Sequence, residues 1–171
     1  DLMPLAHRLN PRAILLGARG RATEEGVNRW FRRFDPTRYD QADIRAEAEA
    51  FAAFVDGAVG GYGLDAERLT FLGFSNGANL LGAILQLHPG LVRRAILIRA
   101  IQVLETPPAA DLAGTCVLLL SGAHDPFAEM AAGLETALRQ DGAELDARII
   151  EAGHALAPDD LAAARDWLST V

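Results

Sequence analysis

The sequence predicts an α/β fold: a mostly parallel sheet with helices on both faces. Three observations carry this. Short apolar runs alternate with amphipathic stretches along the 171 residues. The apolar runs are mostly continuous, as in strands buried on both sides. Gly and Pro punctuate the junctions between them. Half of the residues are hydrophobic, enough for one sizeable core, and the length suits one domain, taken as 1–171.

The elements follow in order. His7 falls in a helix ahead of the first strand, Ala13–Leu16, which Gly17 stops. Residues 40–59 read as a helix, because Ile44, Ala48, Phe51, Val55 and Ala58 share one apolar face; Gly60, Gly61 and Gly63 end it. Leu69–Phe74 is a strand, and Asn76–His88 is a helix closed by Pro89 and Gly90. Ala95–Ile98 is a buried strand, 105–114 a loop, and Thr115–Leu120 a continuous apolar strand. Residues 127–140 place Phe127, Met130, Ala131, Leu134, Ala137 and Leu138 on one helical face. After the Asp141-Gly142 turn, Leu145–Ile150 alternates like a strand near a sheet edge. Pro158 opens a last helix with Asp159 and Asp160 in its first turn, where negative charge is favoured. Five strands result.

The charged residues narrow the partners. All 16 basic residues are Arg, against 23 acids, for a net charge of −7. That balance argues against nucleic acid or an anionic membrane surface as the main partner. Residues 1–38 alone are basic, with eight Arg and four acids, and could form a local anion-friendly rim. One cysteine, Cys116, excludes an intramolecular disulfide and paired-Cys metal sites. No apolar run approaches the roughly 18–20 residues that span a bilayer, and no signal-peptide pattern is present. The default is a soluble, cytoplasmic protein.

The informative stretch is Gly73-Phe74-Ser75-Asn76-Gly77, a G-x-S-x-G. With 16 Gly and three Ser in the chain, about 0.03 chance matches are expected at this composition. A strand leads in and a helix leads out, as a nucleophile elbow requires. The turn holds the serine in a strained backbone conformation above the sheet, and the two glycines let neighbouring backbone approach. Ser75 thus stands at a helix N-terminus, where the Asn76 N–H can point at a developing oxyanion.

Serine needs a base, and of four histidines only His154 follows a final strand. His88 reads as a helix C-terminal residue, and His124, adjoining Asp125, as a rim residue. Asp125, just past Thr115–Leu120 and fixed by Pro126, is the candidate acid; it would hold the imidazole of His154 in one tautomer. The order Ser75, Asp125, His154, each after a later strand, is that of an α/β-hydrolase. All three fall at C-terminal strand ends, where such sheets bind ligands.

The segments GFSNGANLLGAILQLHPGLV, SGAHDP and EAGHALAPDDLAAARDWL resemble the small carboxylesterase/phospholipase branch of the α/β-hydrolases, which includes acyl-protein thioesterases and hydroquinone-resistance esterases. RGRATEEGVNRWFRR is similar to the hydroquinone-resistance subgroup. The resemblance implies the α/β-hydrolase fold and a Ser-His-Asp hydrolase of carboxylic esters or thioesters. It implies no metal and no organic cofactor. It assigns nucleophile Ser75, acid Asp125, base His154 and oxyanion donor Asn76. It is compatible with a homodimer, which no residue pattern demonstrates.

The departures from that family are specific. Its members carry a strand and a His-Gly-rich loop, the source of a second oxyanion N–H, before the segment matching Asp1-Leu2-Met3-Pro4-Leu5-Ala6. Losing such a donor costs about 10²–10³ in turnover. The start at Asp1 points to an N-terminally incomplete domain whose first strands are missing. The stretch after Asp125-Pro126 is also short. Ala157 stands where a capping Thr or Ser is usual, at a cost of about 1 kcal/mol to the last helix.

On the substrate side, Trp30 and Phe31 sit among Arg29, Arg32 and Arg33, and Arg99 follows the strand Ala95–Ile98. They read either as an apolar wall with a charged rim beside the site or as a packed loop with solvated arginines. The function expected is a serine carboxylesterase acting through an acyl-enzyme. A thioesterase or lysophospholipase with the same triad, and a non-catalytic binding protein on a hydrolase scaffold, are the rivals.

Overall fold

The computed structural model describes residues 2–24 and 26–171, so Asp1 and Glu25, each within a segment carrying the family resemblance, lie outside the description. The elements are α1 (Met3–Leu9), β1 (Ala22–Glu24), β2 (Val27–Arg29), α2 (Gln41–Tyr62), β3 (Phe71–Phe74), α3 (Asn76–Leu87), β4 (Arg94–Ile98), β5 (Cys116–Gly122), α4 (Ala128–Gln140), β6 (Glu144–Ile150) and α5 (Pro158–Leu168). A 3₁₀ turn, Ala66–Arg68, precedes β3.

Strands β3-β4-β5-β6 form one parallel sheet in sequence order. Side chains alternate across a strand, and here both faces are buried. Ala95, Leu97, Val117 and Leu119 pack with α2, α3 and α4. Ile96, Ile98, Leu118 and Leu120 pack with α5 and, at the margin, Leu5 and Leu9 of α1. This explains the unbroken apolar runs AILI and VLLL. The α/β-hydrolase expectation is met in its parallel sheet and two helical layers. Among the described residues, no helix is long and apolar enough to cross a membrane.

Three local readings change. Ala13–Leu16 is not a strand. Among the described residues nothing pairs with it, and Ile14 is 79% exposed; an apolar run without a ladder partner leaves its backbone groups to water. The sheet therefore has four strands, and an antiparallel hairpin, β1–β2, stands outside it. Helix α2 also runs through Gly60 and Gly61 and stops only at Gly63, which adopts the left-handed conformation (φ 62°). A glycine inside a helix costs about 1 kcal/mol and does not end it. At its start, the Asp40 side chain accepts from the Ala42 and Asp43 N–H groups.

Candidate active site

The parallel strands all end on one side, and the loops leaving β3, β5 and β6 carry Ser75, Asp125 and His154. Ser75 lies between β3 and α3 with φ 50° and ψ −119°. A non-glycine residue at positive φ is strained and persists only when its surroundings hold it. Here the Ser75 N–H donates to Ile98 O (2.8 Å) and the Ser75 carbonyl accepts from the Asn79 N–H (2.8 Å). Gly73 makes the turn possible: a Cβ there would stand 2.7 Å from the Ala78 backbone. Gly77 is less crowded, since its Cβ would meet only the Trp30 indole at 3.5 Å, an ordinary contact.

The three side chains meet in a line. Ser75 Oγ is 2.9 Å from His154 Nε2, and His154 Nδ1 is 2.9 Å from Asp125 Oδ2. A carboxylate only accepts, so the His154 Nδ1–H donates to it and Nε2 is left to accept the Ser75 hydroxyl. Asp125 is buried, and its Oδ1 accepts from the Phe127 N–H (2.9 Å), an Asx turn that fixes the carboxylate plane. The rings of Phe74 and Phe127 lie 5.6 and 5.5 Å from the imidazole. They flank it without competing for its hydrogen bonds. His124 stays on the rim as expected, its Nε2 against exposed Glu151.

Asn76 begins α3, so its N–H is one of the helix's first donors without an intrahelical acceptor. Its side chain does something the sequence did not suggest: Oδ1 accepts the Trp30 N–H (2.7 Å) and ties the segment before α2 to the elbow.

A cleft of about 200 Å³ opens at Ser75 and His154, bordered also by Arg29, Arg33, Pro36, Tyr39, Ile101 and Phe127. Burial raises the Tyr39 phenol above its ordinary range, and its hydroxyl donates to Pro36 O (3.0 Å). Arg29 and Arg33 belong to the charged rim that the sequence offered as one reading; the other four were not singled out as substrate contacts. Tyr39 and Phe127 could have been found as aromatic residues close to the predicted helix starts. A larger cleft of about 320 Å³ lies at the opposite strand ends, by Arg94 and Cys116. Its lining includes the Cys116 thiol, which burial and then Glu144 push upward, away from the reactive thiolate. Among the described residues, no group of three or more His, Cys, Asp or Glu could hold a metal ion.

The expected substrate wall is corrected. Phe31 is fully buried in the core, edge-on to Tyr39 (5.6 Å). Trp30 packs edge-on against Phe51 of α2 (5.5 Å) and is not part of the cleft wall. Both follow the packed-loop alternative, because two large apolar rings gain more from the core than from an open groove. Arg99 borders the cleft, but its side chain is wholly buried and its guanidinium is held by both oxygens of Asp160 (2.8 and 3.1 Å), so it is not offered to a substrate.

Fold and strand-end loops together define an α/β-hydrolase. No family model matches the chain. The chain is 30% identical over 169 residues to the Bacillus subtilis (strain 168) protein named "Putative hydrolase MhqD", covering 98% of this chain and 84% of that one. It superposes on the crystal structure of a carboxylesterase from Mesorhizobium loti with a TM-score of 0.96 and 48% identity, over 99% of this chain and 82% of that one. The Bacillus cereus carboxylesterase gives 0.95 and 27%, over 99% and 81%. The chain belongs to the esterase family of the α/β-hydrolases.

Proposed function

We propose that this protein is a serine hydrolase of carboxylic esters, with Ser75 as nucleophile, His154 as general base and acid, and Asp125 as the group that orients and stabilises His154. The observation that carries this reading is the continuous pair of 2.9 Å contacts from Ser75 Oγ through the imidazole to Asp125, starting on a strained elbow. In the first step Ser75 Oγ bonds to the ester carbonyl carbon while His154 Nε2 takes the hydroxyl proton. The carbonyl electron pair moves to oxygen, and the Asn76 N–H, free at the start of α3, stabilises that oxyanion. The oxyanion collapses, the bond to the alkoxy oxygen breaks, and His154 returns its proton to the leaving alcohol. Water then attacks the acyl-enzyme by the same sequence and releases the carboxylic acid and Ser75.

The cleft favours small substrates. About 200 Å³ is small beside the roughly 300–1,000 Å³ of pockets that enclose drug-sized ligands. Aromatic and aliphatic walls from Tyr39, Phe127 and Ile101 favour short acyl groups or small aryl esters. A thioester would pass through the same steps.

The test is hydrolysis of p-nitrophenyl esters from acetate to palmitate, by the wild type and by Ser75→Ala. Activity highest on the shortest chains, and lost by about 10⁴-fold or more in the variant, is the expected result. Equal activity in Ser75→Ala would remove Ser75 from the chemistry.

A further inference from the structure

Arg99 is buried and ion-paired to Asp160. Its surroundings are more particular than a structural ion pair needs. It follows β4 with φ 55°, the second non-glycine residue at positive φ besides Ser75 among the described residues. Its N–H donates to Leu120 O of β5 (2.8 Å), and Ile98, just before it, accepts the Ser75 N–H. The residue thus sits in the backbone seam between the serine elbow and the strand that leads to Asp125.

The guanidinium has five N–H donors, and five acceptors face it. Nε donates to Gly153 O (2.8 Å). Nη1 donates to Asp160 Oδ1 (2.8 Å) and, at longer range, Leu120 O (3.4 Å). Nη2 donates to Asp160 Oδ2 (3.1 Å) and Ala155 O (3.4 Å). Gly153 and Ala155 are the residues on either side of His154. Asp160 Oδ2 also accepts the Ala157 N–H (2.7 Å), supplying the backbone half of a capping box where Ala157 has no capping side chain. The loop 153–157 is therefore gripped at three backbone groups by one ion pair whose side chains are 0% and 1% exposed. Gly122 completes the fit: a Cβ there would lie 2.6 Å from Gly153 O and 3.0 Å from Arg99 Nε.

We infer that Arg99, locked by Asp160, is a positioning residue that sets where the His154 imidazole stands between Ser75 and Asp125. The inference rests on the proposed role of His154. A buried ion pair is weak as a source of stability, and apolar replacements of similar volume often fold as well. What an apolar pair cannot do is hold the Gly153 and Ala155 carbonyls. Misplacement of a reacting group by about 1 Å costs on the order of 10²-fold in rate.

The experiment compares the wild type, Arg99→Lys, and the double variant Arg99→Met/Asp160→Leu, with Leu138→Ala as a destabilised control in α4, away from the site. Each is measured for kcat and KM on p-nitrophenyl acetate below its melting temperature, and for the ring proton signals of His154 by NMR. The expected result is kcat lower by about 10–100-fold in both Arg99 variants, KM within about twofold, and a displaced or broadened His154 signal. Leu138→Ala should keep wild-type kcat. A double variant that folds with wild-type kcat and an unchanged His154 signal overturns the inference. If the wild type hydrolyses no ester and takes no label from a fluorophosphonate, the esterase reading falls. The His154 signal then still decides whether Arg99 sets the ring.

Discussion

The body of the molecule, from β3 to α5, and the arm ahead of it, residues 2–40, are held by different forces. In α3 nine of twelve residues are buried, Ala78 through Gln86 in succession. In α1 none is, and among the described residues of the arm only Phe31 and Tyr39 join the buried core. The arm is fastened instead by polar bonds: Arg21 to both oxygens of Glu47, Arg32, itself paired within the arm to Asp40, to Asp43, and the Trp30 N–H to Asn76. Arginines exposed by 62% and 69% on one side of these pairs gain little from them and lose it to salt. The body therefore supplies the rigid geometry that the proposed proton transfer needs. The arm supplies a wall that can vary, with Tyr39 and Pro36 on the cleft.

The largest effect is expected inside the body. Asp125→Asn should lower kcat by about 10⁴-fold, because an amide can donate to His154 Nδ1 and so stabilise the wrong tautomer. Melting should hardly move, since the amide oxygen can still accept the Phe127 N–H. Steady-state kinetics beside a thermal melt checks both halves. A large stability loss would mean that the carboxylate is a structural group first.

Gly122→Ala comes next. Its methyl would press on the Ala152 and Gly153 carbonyls at 2.7 and 2.6 Å, backbone that cannot swing aside. The expected cost is about 1–3 kcal/mol of stability and about 10–100-fold in kcat, read by denaturant unfolding and ester hydrolysis. Wild-type kcat would show that the His154 loop tolerates displacement.

What could be read from the sequence follows the same division. In the body, burial writes itself as continuous apolar strands, and the strained turn after β3 demands Gly73, so the sheet, the elbow and the order of Ser75, Asp125 and His154 are all visible. The Arg99–Asp160 pair is not, because it joins residues 61 apart through a contact that no local pattern encodes. In the arm, patterning misleads. Ala13–Leu16 has strand composition but no ladder partner among the described residues, and the β1–β2 hairpin is too short and exposed to show a period. Phe31 lies between Trp30 and Arg32, so its burial depends on where α2 packs rather than on its neighbours in sequence.

Phe31→Ala tests whether the arm depends on that one ring. Removing a fully buried phenylalanine typically costs about 3–5 kcal/mol, here with the loss of its edge-on contact to Tyr39. Hydrogen exchange should show residues 30–40 opening first, and KM should rise more than kcat falls, because the cleft wall loosens while the line from Ser75 to Asp125 stays. Uniform loosening of β3–β6 would place Phe31 energetically in the body.

The smallest expected effect lies in the arm's turn. The Asp35 carboxylate accepts from the Thr37 N–H (2.9 Å), the Thr37 hydroxyl (3.1 Å) and the Arg38 N–H (2.8 Å). These bonds, the Thr37 N–H foremost, hold it below the ordinary carboxylate range. A carboxyl group whose folded value is depressed stabilises the turn above its unfolded value and loses that contribution as pH falls through the folded one. Acidification should therefore loosen residues 34–38 below the ordinary carboxylate range. The body should keep its packing, and Asp35→Asn should remove the pH dependence. Amide chemical shifts of Thr37 and Arg38 followed against pH are the measurement. Because the turn carries Pro36, whose carbonyl accepts the Tyr39 hydroxyl, loss of the Asp35 bonds should reach the cleft as a change in the Tyr39 ring signals. A Tyr39 signal that stays fixed while the Thr37 amide titrates would show that the Asp35 turn does not set the cleft wall.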